Sequence, residues 1–186
     1  MPEIDLGGGY GIAYTSQHTP LSTEVLAADL ADIVERELKA VGDGDNAAVP
    51  RVSVEPGRAI VGPTTFTLYE VGTVKDVELD DGHVRKYVSV DGGMSDNIRP
   101  ALYDAEHEVD IVNRSSDAEP MGCTVVGKHC ESGDLVRERA SLPADLRAGD
   151  LVAVAATGAY TASMSSNYNR LPRPAAVLVR DGQVRE

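Results

Sequence analysis

The chain has 186 residues, with thirty acidic against seventeen basic side chains and a formal charge of -13 at pH 7. No basic run offsets that excess, so a phosphate backbone would be repelled and a nucleic-acid-binding reading is excluded. Hydrophobic residues make up 42% of the chain, enough to fill one core or two small ones, but no long apolar run or basic leader suggests a membrane span or signal peptide, and the expectation is a cytoplasmic protein.

Ile4 to Leu6 reads as a short apolar strand that runs into Gly7-Gly8-Gly9-Tyr10-Gly11. Glycines let backbone N–H groups approach an anion closely, as in phosphate-cradling loops. The dinucleotide fingerprint Gly-x-Gly-x-x-Gly fails, because Ile12 stands where the third glycine belongs, so a plain tight turn competes with the phosphate reading. From Ser22 to Ala40, Leu26, Leu30, Ile33, Val34 and Leu38 recur at helical spacing. Ser22 or Thr23 can cap the helix, and Gly42 can end it ahead of a polar loop to Asn46. Arg51 to Val54 reads as a second strand. Strand, glycine loop, helix and strand form one β-α-β unit, whose parallel strands put Gly7 to Gly11 and Glu55 to Arg58 on the same edge, where such folds carry their function.

After Pro63 the texture becomes that of a β domain. Phe66 to Leu79 and His83 to Val90 are joined through Asp80-Asp81-Gly82, a hairpin signal. Further strands are expected at Glu108 to Asn113, Thr124 to Val126, Leu135 to Glu138, Leu151 to Ala155 and Ala175 to Val179, a pattern that fits a β-sandwich or barrel. The expected boundary divides residues 1–62 from 63–186. A lone parallel unit cannot cover both faces of its sheet, so the first segment packs on the β domain or belongs with chain upstream.

Gly127 to Asp134, reading Gly-Lys-His-Cys-Glu-Ser-Gly-Asp, places a thiol, an imidazole, an ammonium and two carboxylates between glycine shoulders. Such a loop can carry a proton donor and a substrate clamp, or can be a polar turn. Cys123 and Cys130 form no Cys-x-x-Cys pair, and the histidines at 18, 83, 107 and 129 lack the spacing of a zinc site, so no structural metal is expected. Taken singly, Glu55 and Arg58 could be a surface ion pair, and Arg99 with Tyr103 a packed pair one helical turn apart.

Gly7 to Gly11, Glu55-Pro56-Gly57-Arg58, Asp91-Gly92-Gly93-Met94, Ile98-Arg99-Pro100-Ala101-Leu102-Tyr103, His129-Cys130-Glu131-Ser132-Gly133-Asp134 and Ala156-Thr157-Gly158-Ala159-Tyr160 follow one another in a single order. That series resembles the diaminopimelate decarboxylases, pyridoxal-phosphate enzymes of lysine biosynthesis with an alanine-racemase-like fold. The resemblance covers nearly the whole chain, and Cys-Glu at 130 and 131 is similar to the diaminopimelate version, where ornithine decarboxylases have Cys-Asp. It implies a multi-domain α+β chain, with the last two β/α units of a (β/α)8 barrel followed by the C-terminal β-barrel or β-sandwich domain.

Carried over by the same resemblance, the loop ending at Gly9, with Glu55, Pro56, Gly57, Arg58 and Tyr160, binds pyridoxal 5'-phosphate. Arg58, Arg99, Tyr103, Glu131 and Tyr160 contact substrate. Cys130 is the proton donor, reaching with Glu131 across a homodimer interface. The lysines at 39, 75, 86 and 128 match no Schiff-base position of the family, so this segment alone is expected to be inactive. Another basic amino-acid decarboxylase of the fold, acting on ornithine, arginine or carboxyspermidine, is the alternative within enzymes, and a non-catalytic β-domain dimerisation fragment the alternative outside them.

Overall fold

The computed structural model describes residues 3–41 and 50–185. β1 (Glu3–Asp5) and β2 (Arg51–Ser53) pair in parallel, Ile4 opposite Val52. The helix α1 (Thr23–Val41) is their crossover. Ser22 caps it, its hydroxyl accepting from Val25 N–H at 3.3 Å. Leu26, Leu30, Val34 and Leu38 form the half-buried stripe the sequence calls for, whereas Ile33, assigned to that stripe, stands 44% exposed. Gly42 and the loop to Asn46 lie outside the described residues. A short helix α2 (Gly57–Val61) follows β2. It was not anticipated, because five residues carry too little periodicity to announce a helix.

The β domain is one six-stranded mixed sheet. β3 (Thr67–Glu78) and β4 (Val84–Val90) form the expected hairpin, turning at Gly82 with φ 80°. After α3 (Arg99–Tyr103) come β5 (Val109–Ile111), β6 (Pro120–Val126), β7 (Leu135–Pro143) and β8 (Leu151–Val154), in the spatial order β5-β8-β3-β4-β6-β7. β4 and β6 run parallel and the other pairs antiparallel. The edge strands β5 and β7 lie against one another, so the sheet curls into a nearly closed barrel, and the sandwich alternative falls. Both β6 and β7 run longer than expected, because register shifts between Cys123 and Val126 interrupt the alternation.

Val71, Val88, Val125, Leu142, Val152 and Val154, each at most 1% exposed, fill the barrel. Full burial of such side chains is worth roughly 1.5–3 kcal/mol each. Beyond β8 lie α4 (Thr161–Met164) and a solvent-exposed hairpin, β9 (Leu178–Arg180) with β10 (Gln183–Arg185). The strand expected at Ala175 to Val179 is thus displaced toward the C-terminus, pinned by the Asp181-Gly182 turn, where both residues have positive φ.

The β-α-β segment is docked on this barrel. Glu108 N–H donates to Tyr14 C=O at 2.8 Å, Ser16 N–H to the Glu108 carboxylate at 2.9 Å, and Gly158 N–H to Gly62 C=O at 3.1 Å. Among the described residues no helix is long and apolar enough to cross a membrane.

Candidate active site

The parallel pairing of β1 and β2 brings the glycine loop and the Glu55 segment to one edge. Glu55 N–H donates to Gly7 C=O at 2.7 Å. Gly7 and Gly9 have φ of 71° and 90°, and a Cβ at Gly8 would lie 2.4 Å from Glu55 C=O, so this loop needs glycine for both conformation and close approach. The amides of Gly8 and Gly9 donate to no group among the described residues, which leaves them available to an anion's oxygens. Arg58 braces the loop, with Nε donating to Tyr10 C=O at 3.0 Å and Nη2 to Gly9 C=O at 2.9 Å. Its fork is therefore partly spent on the loop, and Glu55 and Arg58 form no ion pair with each other. The exposed Glu55 carboxylate has no hydrogen-bond partner among the described residues.

Arg99 and Tyr160 meet around Tyr14, which follows the glycine loop in the chain. The Arg99 guanidinium lies 4.9 Å from the centre of the Tyr14 ring and 5.7 Å from that of Tyr160. Its Nη1 is buried without a partner, as is the Tyr14 hydroxyl. A buried guanidinium donor left open points to a missing acceptor. Tyr160 sits at the left-handed φ of 66°, and Ala156 earlier in the same turn at 56°, backbone conformations that cost energy outside glycine. Tyr103, at the far end of α3, is 61% exposed, and among the described residues no hydrogen bond or ring stacking ties it to this group.

The loop from Gly127 to Asp134 forms a second cluster. The buried Asp134 carboxylate organises it, accepting from Met94 N–H at 2.6 Å and His129 N–H at 2.7 Å. Gly93 and Gly127 close onto that carboxylate so tightly that a Cβ at either would come within 2.4 Å of it. The Asp91 to Gly93 turn is thus the platform of the loop, and Lys128 N–H also donates to Gly92 C=O at 3.0 Å. His129 packs within the chain, its Nε2 3.0 Å from Ser95 Oγ and its ring 5.3 Å from that of Tyr168. Cys130 and Glu131 are left at the surface. Glu131 accepts from the Tyr168 hydroxyl, and that bond raises the phenol's pKa. A cleft of about 520 Å³ opens here, lined by Lys75, Arg85, Tyr87, His129 and Glu131 among others. The other thiol, Cys123, is buried, and desolvation pushes it up to about 11. Only Cys130 is therefore placed for chemistry.

No hydrogen bond or ion pair among the described residues joins Cys130 or Glu131 to the Gly9, Arg58, Arg99 and Tyr160 group. Sequence reasoning did not find Tyr14, Asn97 or His107 as members of these clusters, and it counted Asp134 among the loop's carboxylates without its organising role. That role could have been suspected from the glycines around Asp134; Tyr14, Asn97 and His107 announce themselves only through contacts far apart in the chain.

Residues 1–62 match the family model "Pyridoxal-dependent decarboxylase, pyridoxal binding domain", and residues 52–158 match "Pyridoxal-dependent decarboxylase, C-terminal sheet domain". The chain belongs to the pyridoxal-dependent decarboxylases. Among curated members of this family, diaminopimelate decarboxylase of Corynebacterium efficiens is 54% identical over 98% of this chain and that of Mycobacterium leprae 57% identical over 98%. The chain spans 39% and 38% of their lengths. Of solved structures, diaminopimelate decarboxylase from M. jannaschii in complex with L-lysine superposes with a TM-score of 0.84 at 30% identity, over 99% of this chain and 39% of that one. AQ1208 from Aquifex aeolicus superposes with a TM-score of 0.85 at 31% identity, over 100% of this chain and 41% of that one.

The cofactor of this decarboxylase family is pyridoxal phosphate, and the first cluster fits it. Free glycine amides suit the phosphate, an unpaired carboxylate at Glu55 suits a protonated ring nitrogen, and the open Arg99 donor suits a carboxylate beside it.

Proposed function

We propose that the full-length protein carrying this chain decarboxylates meso-2,6-diaminopimelate to L-lysine and carbon dioxide, as a step of lysine biosynthesis. The observation that carries the reading is the match, at 54% and 57% identity over 98% of the chain, to curated diaminopimelate decarboxylases. The Cys130-Glu131 pair, exposed on a loop that Asp134 holds rigid, adds to it.

Pyridoxal phosphate, when bound, supplies the electron sink for the bond that breaks. The residues of this chain bind, orient and move protons around it. Gly8 and Gly9 present their amides to the phosphate on a loop that Arg58 holds in shape, with Pro56 and Gly57 closing the same edge. Glu55 keeps a proton on the ring nitrogen. Tyr160 offers its phenol to phosphate or substrate, and Arg99, with Tyr103, takes a substrate carboxylate. Cys130 delivers the Sγ proton to the carbon that has lost carbon dioxide and regains one from solvent. Glu131 holds the ammonium at the distal end of the substrate, oriented by Tyr168. We infer that Cys130 and Glu131 serve the site of a second copy in a homodimer, since both are exposed and neither is hydrogen-bonded to the cofactor cluster of its own chain. The boundary between barrel segment and β domain belongs at residue 62, and the cytoplasm is the proposed compartment.

The test is carbon dioxide release and product formation by the full-length protein with pyridoxal phosphate, supplied in turn with diaminopimelate, lysine, ornithine, arginine and carboxyspermidine. Turnover confined to diaminopimelate is expected. Preference for ornithine or arginine would overturn the reading, and normal turnover by Cys130→Ala would remove the thiol from the chemistry. Incubating the 186-residue segment with cofactor and borohydride is expected to give no stoichiometric adduct and no turnover.

A further inference from the structure

His107 is completely buried, and no step above uses it. Its Nδ1 lies 2.8 Å from Ala155 C=O. A carbonyl oxygen only accepts, so Nδ1 carries the proton and donates, and in the neutral ring Nε2 is an acceptor. Nε2 faces Asn97 Nδ2 at 3.4 Å, which fixes Asn97 with its amide nitrogen toward the imidazole and its Oδ1 on the opposite side. That Oδ1 accepts from Arg99 N–H at 3.2 Å, at the start of α3. One carbonyl thus dictates, through a tautomer and an amide orientation, the acceptor on which the Arg99 backbone rests.

The same imidazole reaches Arg99 by a second route. Its ring stands edge-on to the Tyr14 ring at 5.1 Å, and Tyr14 is the aromatic face under the Arg99 guanidinium. Ala155, the carbonyl partner, opens the turn that ends at Tyr160, whose ring flanks the guanidinium on another side. Backbone, side-chain bed and facing phenol of Arg99 therefore converge on His107.

We propose that His107 is the positioning residue that sets Arg99 against Tyr160 for the substrate carboxylate, acting through Asn97 on the backbone and through Tyr14 on the guanidinium. The proposal rests on the reading of Arg99 as a substrate-binding residue. Burial disfavours a proton on Nε2; the Ala155 bond opposes that, and the Arg99 and Arg137 guanidiniums reinforce it. A proton there would face the Asn97 amide donor, turn Asn97 over and take the acceptor away from Arg99 N–H.

The experiment uses full-length enzyme loaded with pyridoxal phosphate. His107→Phe keeps a planar ring and removes the relay; Asn97→Ala breaks the next link without touching the imidazole. Each is expected to raise KM for diaminopimelate and the calorimetric Kd for L-lysine about tenfold, the scale of one or two lost hydrogen bonds. Turnover per bound cofactor should stay within about twofold, and either change should add little on an Arg99→Gln background. Nitrogen-15 NMR of the wild-type imidazole should report the Nδ1–H tautomer from pH 6 to 8. A lower melting temperature with KM and Kd unchanged in both variants, full additivity with Arg99→Gln, or an Nε2–H tautomer would each overturn the proposal. Unchanged KM in Arg99→Gln alone would sink the reading of Arg99 instead, and the proposal with it.

Discussion

Gly158→Ala isolates the contact that holds the Tyr160 turn against the β-α-β segment. A Cβ at 158 would lie 1.7 Å from the Val61 carbonyl oxygen and 2.8 Å from its carbon, where real Cβ contacts start near 3.0 Å. The obstacle is backbone on both sides, so the segments must part by more than an ångström. Separation breaks Gly158 N–H to Gly62 C=O at 3.1 Å and Thr157 N–H to Thr65 C=O at 3.0 Å. Two hydrogen bonds at about 1 kcal/mol each, with overpacking strain of roughly 1–3 kcal/mol, give a loss of about 3–5 kcal/mol. Because Tyr160 lies two residues on, its ring leaves Arg99 as well, and KM for diaminopimelate should rise about tenfold. Urea unfolding of the full-length enzyme followed by far-ultraviolet circular dichroism, together with steady-state kinetics, measures both effects. Gly122→Ala is the control, since nothing lies within 4 Å of a Cβ there; it should be neutral to about 0.5 kcal/mol. Equal stability and KM in the two variants would refute the argument.

Cys130→Ala in the full-length enzyme should lower kcat by at least about a hundredfold with little change in cofactor content, the usual contribution of a positioned proton donor, as read by carbon dioxide release. Tyr168→Phe frees the Glu131 carboxylate and should raise KM for diaminopimelate about threefold to tenfold while narrowing the preference over ornithine. Asp150 is held down to about 2, chiefly by hydrogen bonds from Arg114 at 2.9 Å, and Arg114 also holds Asp145 below the usual carboxylate range. A depressed carboxylate stabilises the fold above its unfolded pKa of about 4 and ceases to as pH falls toward 2. The melting temperature should therefore drop over that window, with Asp150→Asn less stable at pH 7 and flatter below pH 4; parallel curves would refute this.

The sequence carried the local features well. The α1 stripe, its Ser22 cap, the β3–β4 hairpin and the shared edge of Gly7 and Glu55 depend on neighbours in the chain or on one crossover. It was silent where pairing is distant. Nothing local announces that β4 takes β6 as a parallel neighbour or that β5 meets β7, and those two facts decide between barrel and sandwich. The site divides the same way. Residue types at Glu55, Arg58, Cys130 and Glu131 had chemical meaning only as an ordered set, whereas His107 looked like one of four scattered histidines until Ala155 and Asn97 were seen on its two nitrogens. Arg58 is the instructive case: the sequence offered its fork to a ligand, and two of its donors turn out to grip the loop.

The parallel seam between β4 and β6 has a kinetic implication. A β-hairpin zips up from its own turn, but Val88 can find Val125 only after the intervening chain, with Arg99, His107 and β5 on it, has been threaded to the opposite rim. Loops of that length close slowly and are rewarded late. The segment that carries Arg99 and His107 is therefore among the last parts of the barrel to condense, so substitutions along it should hasten unfolding while leaving the refolding rate nearly untouched.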